Sequence, residues 1–144
     1  MFFGTFNHAI DAKGRTSLPV KLREVLAAAG EPRIVLVQNP VWKCIQALPQ
    51  SVWTEVVKKV SEGSPFDAKL QMNFFKYLST AHEVDLDPHG RVLVPPNLRQ
   101  YAGLQKDVVW VGMVRTIHLY DRQSYEDRMA AEVPPEHQVD FFKL

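Results

Sequence analysis

The apolar positions of the chain fall into short blocks with two different periods. In SVWTEVVKKVSEG, Val52, Trp53, Val56, Val57 and Val60 recur at helical spacing. Gly63 to Pro65 break that pattern, and FDAKLQMNFFKYLST reads as a second helix. PVKLREVLAAAG sets Leu22, Val25, Leu26 and Ala29 on one helical face. It opens on Pro19, where a missing N–H costs nothing, and stops at Gly30. PPNLRQYAG, from Pro95 to Gly103, is its shorter counterpart. The other apolar residues lie in short strand-like runs: Thr5 to Ile10, Arg15 to Leu18, Arg33 to Val37, Cys44 to Leu48, and again Ala81 to Leu86, Arg91 to Val94, Asp107 to Val111, Thr116 to Tyr120.

That order of blocks occurs twice. A shift of 76 residues lays DAKGRTSLPVKLR (Asp11 to Arg23) over DPHGRVLVPPNLR (Asp87 to Arg99), with Asp, Gly, Arg, Pro, Leu and Arg coinciding. RIVLV then matches DVVWV, and CIQAL matches TIHLY. In each copy a strand runs into Asp-x-x-Gly, a tight turn. Gly14 and Gly90 supply the positive φ, and Asp11 and Asp87 bond the backbone two residues on. Neither half has enough strands to bury both faces of a sheet alone. Two intertwined halves closing a small pseudo-twofold β-barrel, with helices outside, satisfy both. The expected class is therefore mainly β with flanking helices, α+β. Its divisions are a first repeat over 5–48, a helical connection over 49–78, a second repeat over 79–121, and a C-terminal helix and tail over 122–144. In the tail, Phe141-Phe142 has two destinations open to it, the fold itself or a neighbouring subunit.

Composition adds mainly exclusions. The chain has 144 residues, 46% hydrophobic and 23% charged, which is one packed domain rather than a disordered segment. A single cysteine, Cys44, makes no internal disulfide and no thiolate cluster, and fits a reducing compartment. No apolar run has the length of a membrane span, and the N-terminus lacks the pattern of a secretory signal, so a cytoplasmic location is expected. Net charge is only +1, so an electrostatic partner has to be sought in local patches.

Three local patches carry titratable groups close together. DLDPHG (Asp85, Asp87, His89, Gly90) imitates the opening of a calcium loop, but the twelfth position, where a bidentate Glu belongs, is Pro96. His82, Glu83, Asp85, Asp87 and His89 form an acidic strand without the helical His spacing of a zinc site. Neither supports a metal, a cofactor or a catalytic role. The aromatics Trp42, Trp53, Phe74, Phe75, Tyr77 and Trp110 follow apolar periodicities and are assigned to core or subunit contacts. The basic turn is different. Lys13, Arg15, Lys21 and Arg23 stand against Asp11 alone. The plain structural account pairs Asp11 with Arg15 and Asp87 with Arg91, and lets Arg23 and Arg99 cap helices. It leaves Lys13 at an exposed apex with nothing to do. A basic hairpin turn duplicated about a twofold has the shape of a nucleic-acid contact. Lys and Arg neutralise phosphates, Arg forks onto guanine, and Thr16 and Ser17 add neutral phosphate bonds.

MFFGTFNHAIDAKGRTSLPVKLRE together with VDLDPHGRVLVPPNLRQYAGL resembles the MraZ family over essentially the whole chain. The resemblance implies two tandem AbrB-like (SpoVT-AbrB) swapped-hairpin units and a transcriptional regulator that is not an enzyme. It further implies binding to short direct repeats in double-stranded DNA at the promoter of the division and cell-wall gene cluster, which includes its own gene. Assembly into homo-oligomeric rings and a place at the nucleoid follow from the same likeness. The family's Asp-x-x-x-Arg signature falls on Asp11 with Arg15 and on Asp87 with Arg91. Lys13-Gly14-Arg15 is intact, whereas the second copy reads His89-Gly90-Arg91, so the first copy is expected to face DNA. The DNA-binding candidates are Lys13, Arg15, Thr16, Ser17, Lys21 and Arg91. The alternative is a non-catalytic AbrB-like interaction or scaffold module.

Overall fold

The computed structural model describes residues 1–31 and 33–144. Eight strands and five helices appear in the order β1 (Thr5–Ala9), β2 (Arg15–Ser17), α1 (Val20–Ala28), β3 (Arg33–Gln38), β4 (Ile45–Pro49), α2 (Gln50–Ser61), α3 (Ala68–Leu78), β5 (His82–Asp85), β6 (Arg91–Leu93), α4 (Pro96–Ala102), β7 (Asp107–Met113), β8 (Thr116–Asp121) and α5 (Arg122–Ala130). The fold is mixed α+β, and its strand pairings are antiparallel.

Strand partners are exchanged between the halves of the chain. The large sheet runs β1-β7-β8-β4-β3-β5 and a separate ribbon pairs β2 with β6. The order reads alike from both ends once β1 is matched with β5, β7 with β3, and β8 with β4. At its centre Gln46 faces His118, and at the centre of the ribbon Thr16 faces Val92. The 76-residue shift superimposes Thr16 on Val92, and the match of CIQAL with TIHLY superimposes Gln46 on His118.

The expected closed barrel is not what forms. Among the described residues the hydrogen-bonded strands leave β1 and β5 as the edges of an open six-stranded sheet. The Asp turns explain the break. Each reverses the chain so soon that the strand after it has only three residues, and a single Ile10–Thr16 bridge links β1 to β2.

Alternation along the strands builds two layers. Ile34, Leu36, Ile45, Ala47, Val108, Trp110, Ile117 and Leu119 point inward to one cluster with Leu18, Leu22 and Leu26 of the first half and Val92, Val94 and Leu98 of the second. The opposite face of the sheet is covered by α2 and α3 over β3 and β4, and by α5 over β7 and β8. That face explains why β3 is buried at four successive positions, Ile34 to Val37. Of the six aromatics assigned to core or interface, Trp110 is fully buried, while Phe75 projects into solvent.

A candidate nucleic-acid interface on the two-stranded ribbon

Each Asp turn is held by one oxygen of its aspartate. Asp11 Oδ1 accepts from the backbone N–H groups of Lys13 (3.0 Å) and Arg15 (2.9 Å). Asp87 Oδ1 accepts from those of His89 (2.8 Å) and Arg91 (2.9 Å). The second oxygen takes the arginine: Arg15 Nε donates to Asp11 Oδ2 at 2.8 Å, and Arg91 Nε to Asp87 Oδ2 at 2.8 Å. The expected Asp–Arg pairs are thus present. Because each uses Nε, the Nη groups of Arg15 and Arg91 are left without a hydrogen bond among the described residues, available to another acceptor.

The turns are knitted to each other across the halves. Leu18 N–H donates to Gly90 O (2.9 Å) and Val94 N–H to Gly14 O (2.8 Å). The Arg99 side chain lies against Gly14, and that of Arg23 against Gly90. Arg23 Nε donates to the carbonyl of Leu18, ahead of its helix, so this residue does not cap a helix end as expected but locks the opposite copy's turn.

Strand alternation then decides which candidates face out. Arg15 and Ser17 share the outer side of β2, and Arg91 and Leu93 that of β6, with Arg15 opposite Leu93 and Ser17 opposite Arg91. The two arginines therefore lie on a diagonal about the ribbon's centre. Lys13 is exposed at the turn apex and Lys21 on the first turn of α1. Thr16 is a correction. It is 2% exposed, its hydroxyl lies in the core without a partner, and it cannot reach a phosphate from there. His82, Glu83 and Asp85 do not gather a metal site. Arg33 holds Asp85 at 2.9 Å and Glu83 at 3.8 Å, and no group of three potential ligands converges among the described residues.

One feature lay beyond the reach of spacing. On the covered face of the sheet, Asn39 Oδ1 accepts from Val41 and Trp42 N–H, which leaves its amide to donate to His118 Nε2 at 3.2 Å. His118 Nδ1–H then donates to the Tyr120 hydroxyl at 3.2 Å. Burial pushes the Cys44 thiol up to about 11, which keeps it protonated and unreactive. Asn39, His118 and Tyr120 thus form a hydrogen-bonded polar seam between the two halves.

The backbone N–H of Arg15 and its guanidinium hold the Asp11 carboxyl below its ordinary 3.8, and Arg91 does the same for Asp87. Burial holds His118 below 6.5. All three folded values lie under the unfolded ones. Each contribution is therefore complete above the ordinary value and lost as pH falls through the folded one. Urea unfolding should show a weakening below pH 6.5 from His118 and another below 3.8 from the aspartates. Asp87→Ala should unfold at lower urea than the native chain at pH 7, with the gap closing below pH 3.8; a gap that persists in acid would remove the carboxylate from the account.

The MraZ family model, described as "MraZ protein, putative antitoxin-like", matches residues 1–73 and 77–140. The transcriptional regulator MraZ of Anaeromyxobacter dehalogenans (strain 2CP-C) is 73% identical over 143 residues, covering 99% of both chains. That of Anaeromyxobacter sp. (strain Fw109-5) is 71% identical over 142 residues, 99% of this chain and 98% of its own. That of Shewanella denitrificans is 36% identical over 132 residues, 90% of this chain and 85% of its own. No helix among the described residues is long and apolar enough to cross a membrane.

Proposed function

Since the chain belongs to the MraZ family, we propose that it is a sequence-specific transcriptional regulator that lays its β2–β6 ribbon and the Lys13 turn on double-stranded DNA. The observation that carries this reading is the outward diagonal of Arg15 and Arg91, each tied to its turn through Nε with its Nη groups free. A two-stranded ribbon fits the major groove, where an arginine fork reads guanine O6 and N7. Lys13, Lys21 and Ser17 flank it as phosphate contacts. The two copies differ on this face. Lys13 stands where the second copy has His89, and Ser17 where it has Leu93, so the first copy makes the principal contact. The repeat boundaries 5–48 and 79–121 belong to the same proposal. So do a cytoplasmic, nucleoid-associated location and regulation of the division and cell-wall cluster from a promoter that includes its own.

A net charge of +1 is small for a lone DNA-binding protein. A ring of copies, each placing one Lys13–Arg15 turn on successive direct repeats, raises the effective affinity without a new contact. Fluorescence anisotropy on DNA from upstream of its own gene should show a single-repeat fragment binding roughly 100-fold more weakly than a multi-repeat one. Binding to the latter should fall steeply between 50 and 200 mM salt, on the order of 1,000-fold. Equal affinity for one repeat and several would sink the ring arrangement. A flat salt response would sink the phosphate contacts.

A further inference from the structure

Among the large apolar side chains that stand in solvent on this chain, two groups differ in charge. The first is on α3. Leu70, Phe74 and Tyr77 turn inward, half-buried, and Asp67 caps the helix by accepting from Leu70 N–H. Met72 and Phe75 point away from them, Phe75 with 74% of its surface exposed. Lys69 lies one turn before Met72 and Lys76 one turn after it, and α3 carries no acidic residue. Met72, Phe75 and Lys76 line a shallow depression of about 470 Å³.

The second is the segment after α5. Phe141 is 80% exposed and Phe142 wholly so, with Leu144 beside them. They are not loosely strung. Pro134 and Pro135 lead into a short 3-10 turn, and a second one, Phe141–Lys143, is fixed by Asp140 Oδ1 accepting from Phe142 N–H at 3.0 Å. The segment also carries Glu132, Glu136 and Asp140 against Lys143 alone. A shaped aromatic pair that stands exposed to solvent carries a low ordering cost for binding elsewhere. Exposed apolar clusters with polar rims mark interaction sites.

We infer that Phe141-Phe142 of one chain docks on the Met72–Phe75 face of α3 in a second copy, with Lys69 and Lys76 set against Glu136 and Asp140. The pairing joins two different surfaces, so every copy both gives and receives. Such head-to-tail contacts propagate until they close. This rests on the homo-oligomeric reading above and supplies the contact that reading lacks.

The test uses full-length chains in sedimentation velocity, with circular dichroism to verify folding. Phe75→Glu removes the receiving face, and Phe141→Ser/Phe142→Ser removes the donated pair; both change exposed side chains. The native chain should sediment as an oligomer and each variant as a monomer. An equimolar mixture of the two variants should yield a species of one copy of each and nothing larger. Only one intact donor and one intact receiver remain in it, on different chains. A monomeric native chain would overturn the oligomeric reading itself. An assembled native chain whose variants also assemble would overturn the tail contact alone. Monomeric variants that stay monomeric when mixed would place the aromatic pair on its own chain and overturn it too.

Discussion

Arg15→Ala should lose about 100-fold or more in affinity for its specific DNA while folding and assembling as the native chain does. One bidentate arginine–guanine contact discriminates by about 1–3 kcal/mol, and an oligomer forfeits it once in every copy. The structure says why the turn survives the change. Its geometry rests on Asp11 Oδ1 and the N–H groups of Lys13 and Arg15, which the substitution leaves in place. Only the Oδ2 ion pair goes, and it is exposed to solvent. The variant also uncovers a carboxylate at the DNA-facing turn. Asp11→Asn/Arg15→Ala separates the two causes: if repulsion by Asp11 were the whole effect, the asparagine would restore binding. Arg91→Ala serves as the internal comparison and should cost less, because its copy lacks a lysine at the apex. Equal losses for the two arginines would remove the division of labour, and a variant that dissociates or unfolds would return Arg15 to a purely structural role.

Gly14→Ala has the largest expected effect on stability among the turn residues. Gly14 sits at φ +91°, and a Cβ there would meet the Arg99 guanidinium at 2.8 Å and the Val94 carbonyl oxygen at 2.9 Å. The side chain of Arg99 has room to give; the carbonyl has not, since Val94 belongs to the stretch whose N–H bonds Gly14 O. Gly103 is the control, at φ +63° with nothing within 4 Å of a Cβ. Its alanine variant should cost about 1–2 kcal/mol, the left-handed backbone alone. Gly14→Ala should add the crowding and reach roughly 3 kcal/mol. Urea titration of both variants checks the difference. Equal losses would mean that the Val94 carbonyl yields as freely as the Arg99 side chain.

Those two residues also show what could be read from spacing and what could not. The turns were legible because their chemistry is local. An aspartate four residues ahead of an arginine-led strand, a glycine just before that arginine, and a proline beyond it determine one another within nine positions. The duplication was legible because both turns carry the same parts. Barrel closure was not, since it depends on pairings between strands about 100 residues apart, for which period-2 patterns give no partner. Thr16 was misjudged as outward although the register held the answer: it superimposes on Val92, an apolar residue that could only face in. The His118 seam was invisible for a plainer reason. Asn39 and His118 are 79 residues apart, and neither has a motif to announce the other. The helical period of α3 located the helix but not its bare face. Met72 and Phe75 satisfy a 3.6-residue pattern as well as Leu70 and Phe74 do, and only tertiary packing decides which pair is covered.

The exchange of strands between halves also sets a timetable for synthesis. β1 pairs with β7, Thr5 lying opposite Val111 and Ala9 opposite Asp107. Until the ribosome has delivered that partner, the first strand of the chain has no edge to join. At about 5–20 residues per second the wait for roughly 100 residues is on the order of 5–20 s. No N-terminal fragment that stops short of β7 can complete the sheet. A prematurely terminated message therefore yields a chain whose first strand stays unpaired.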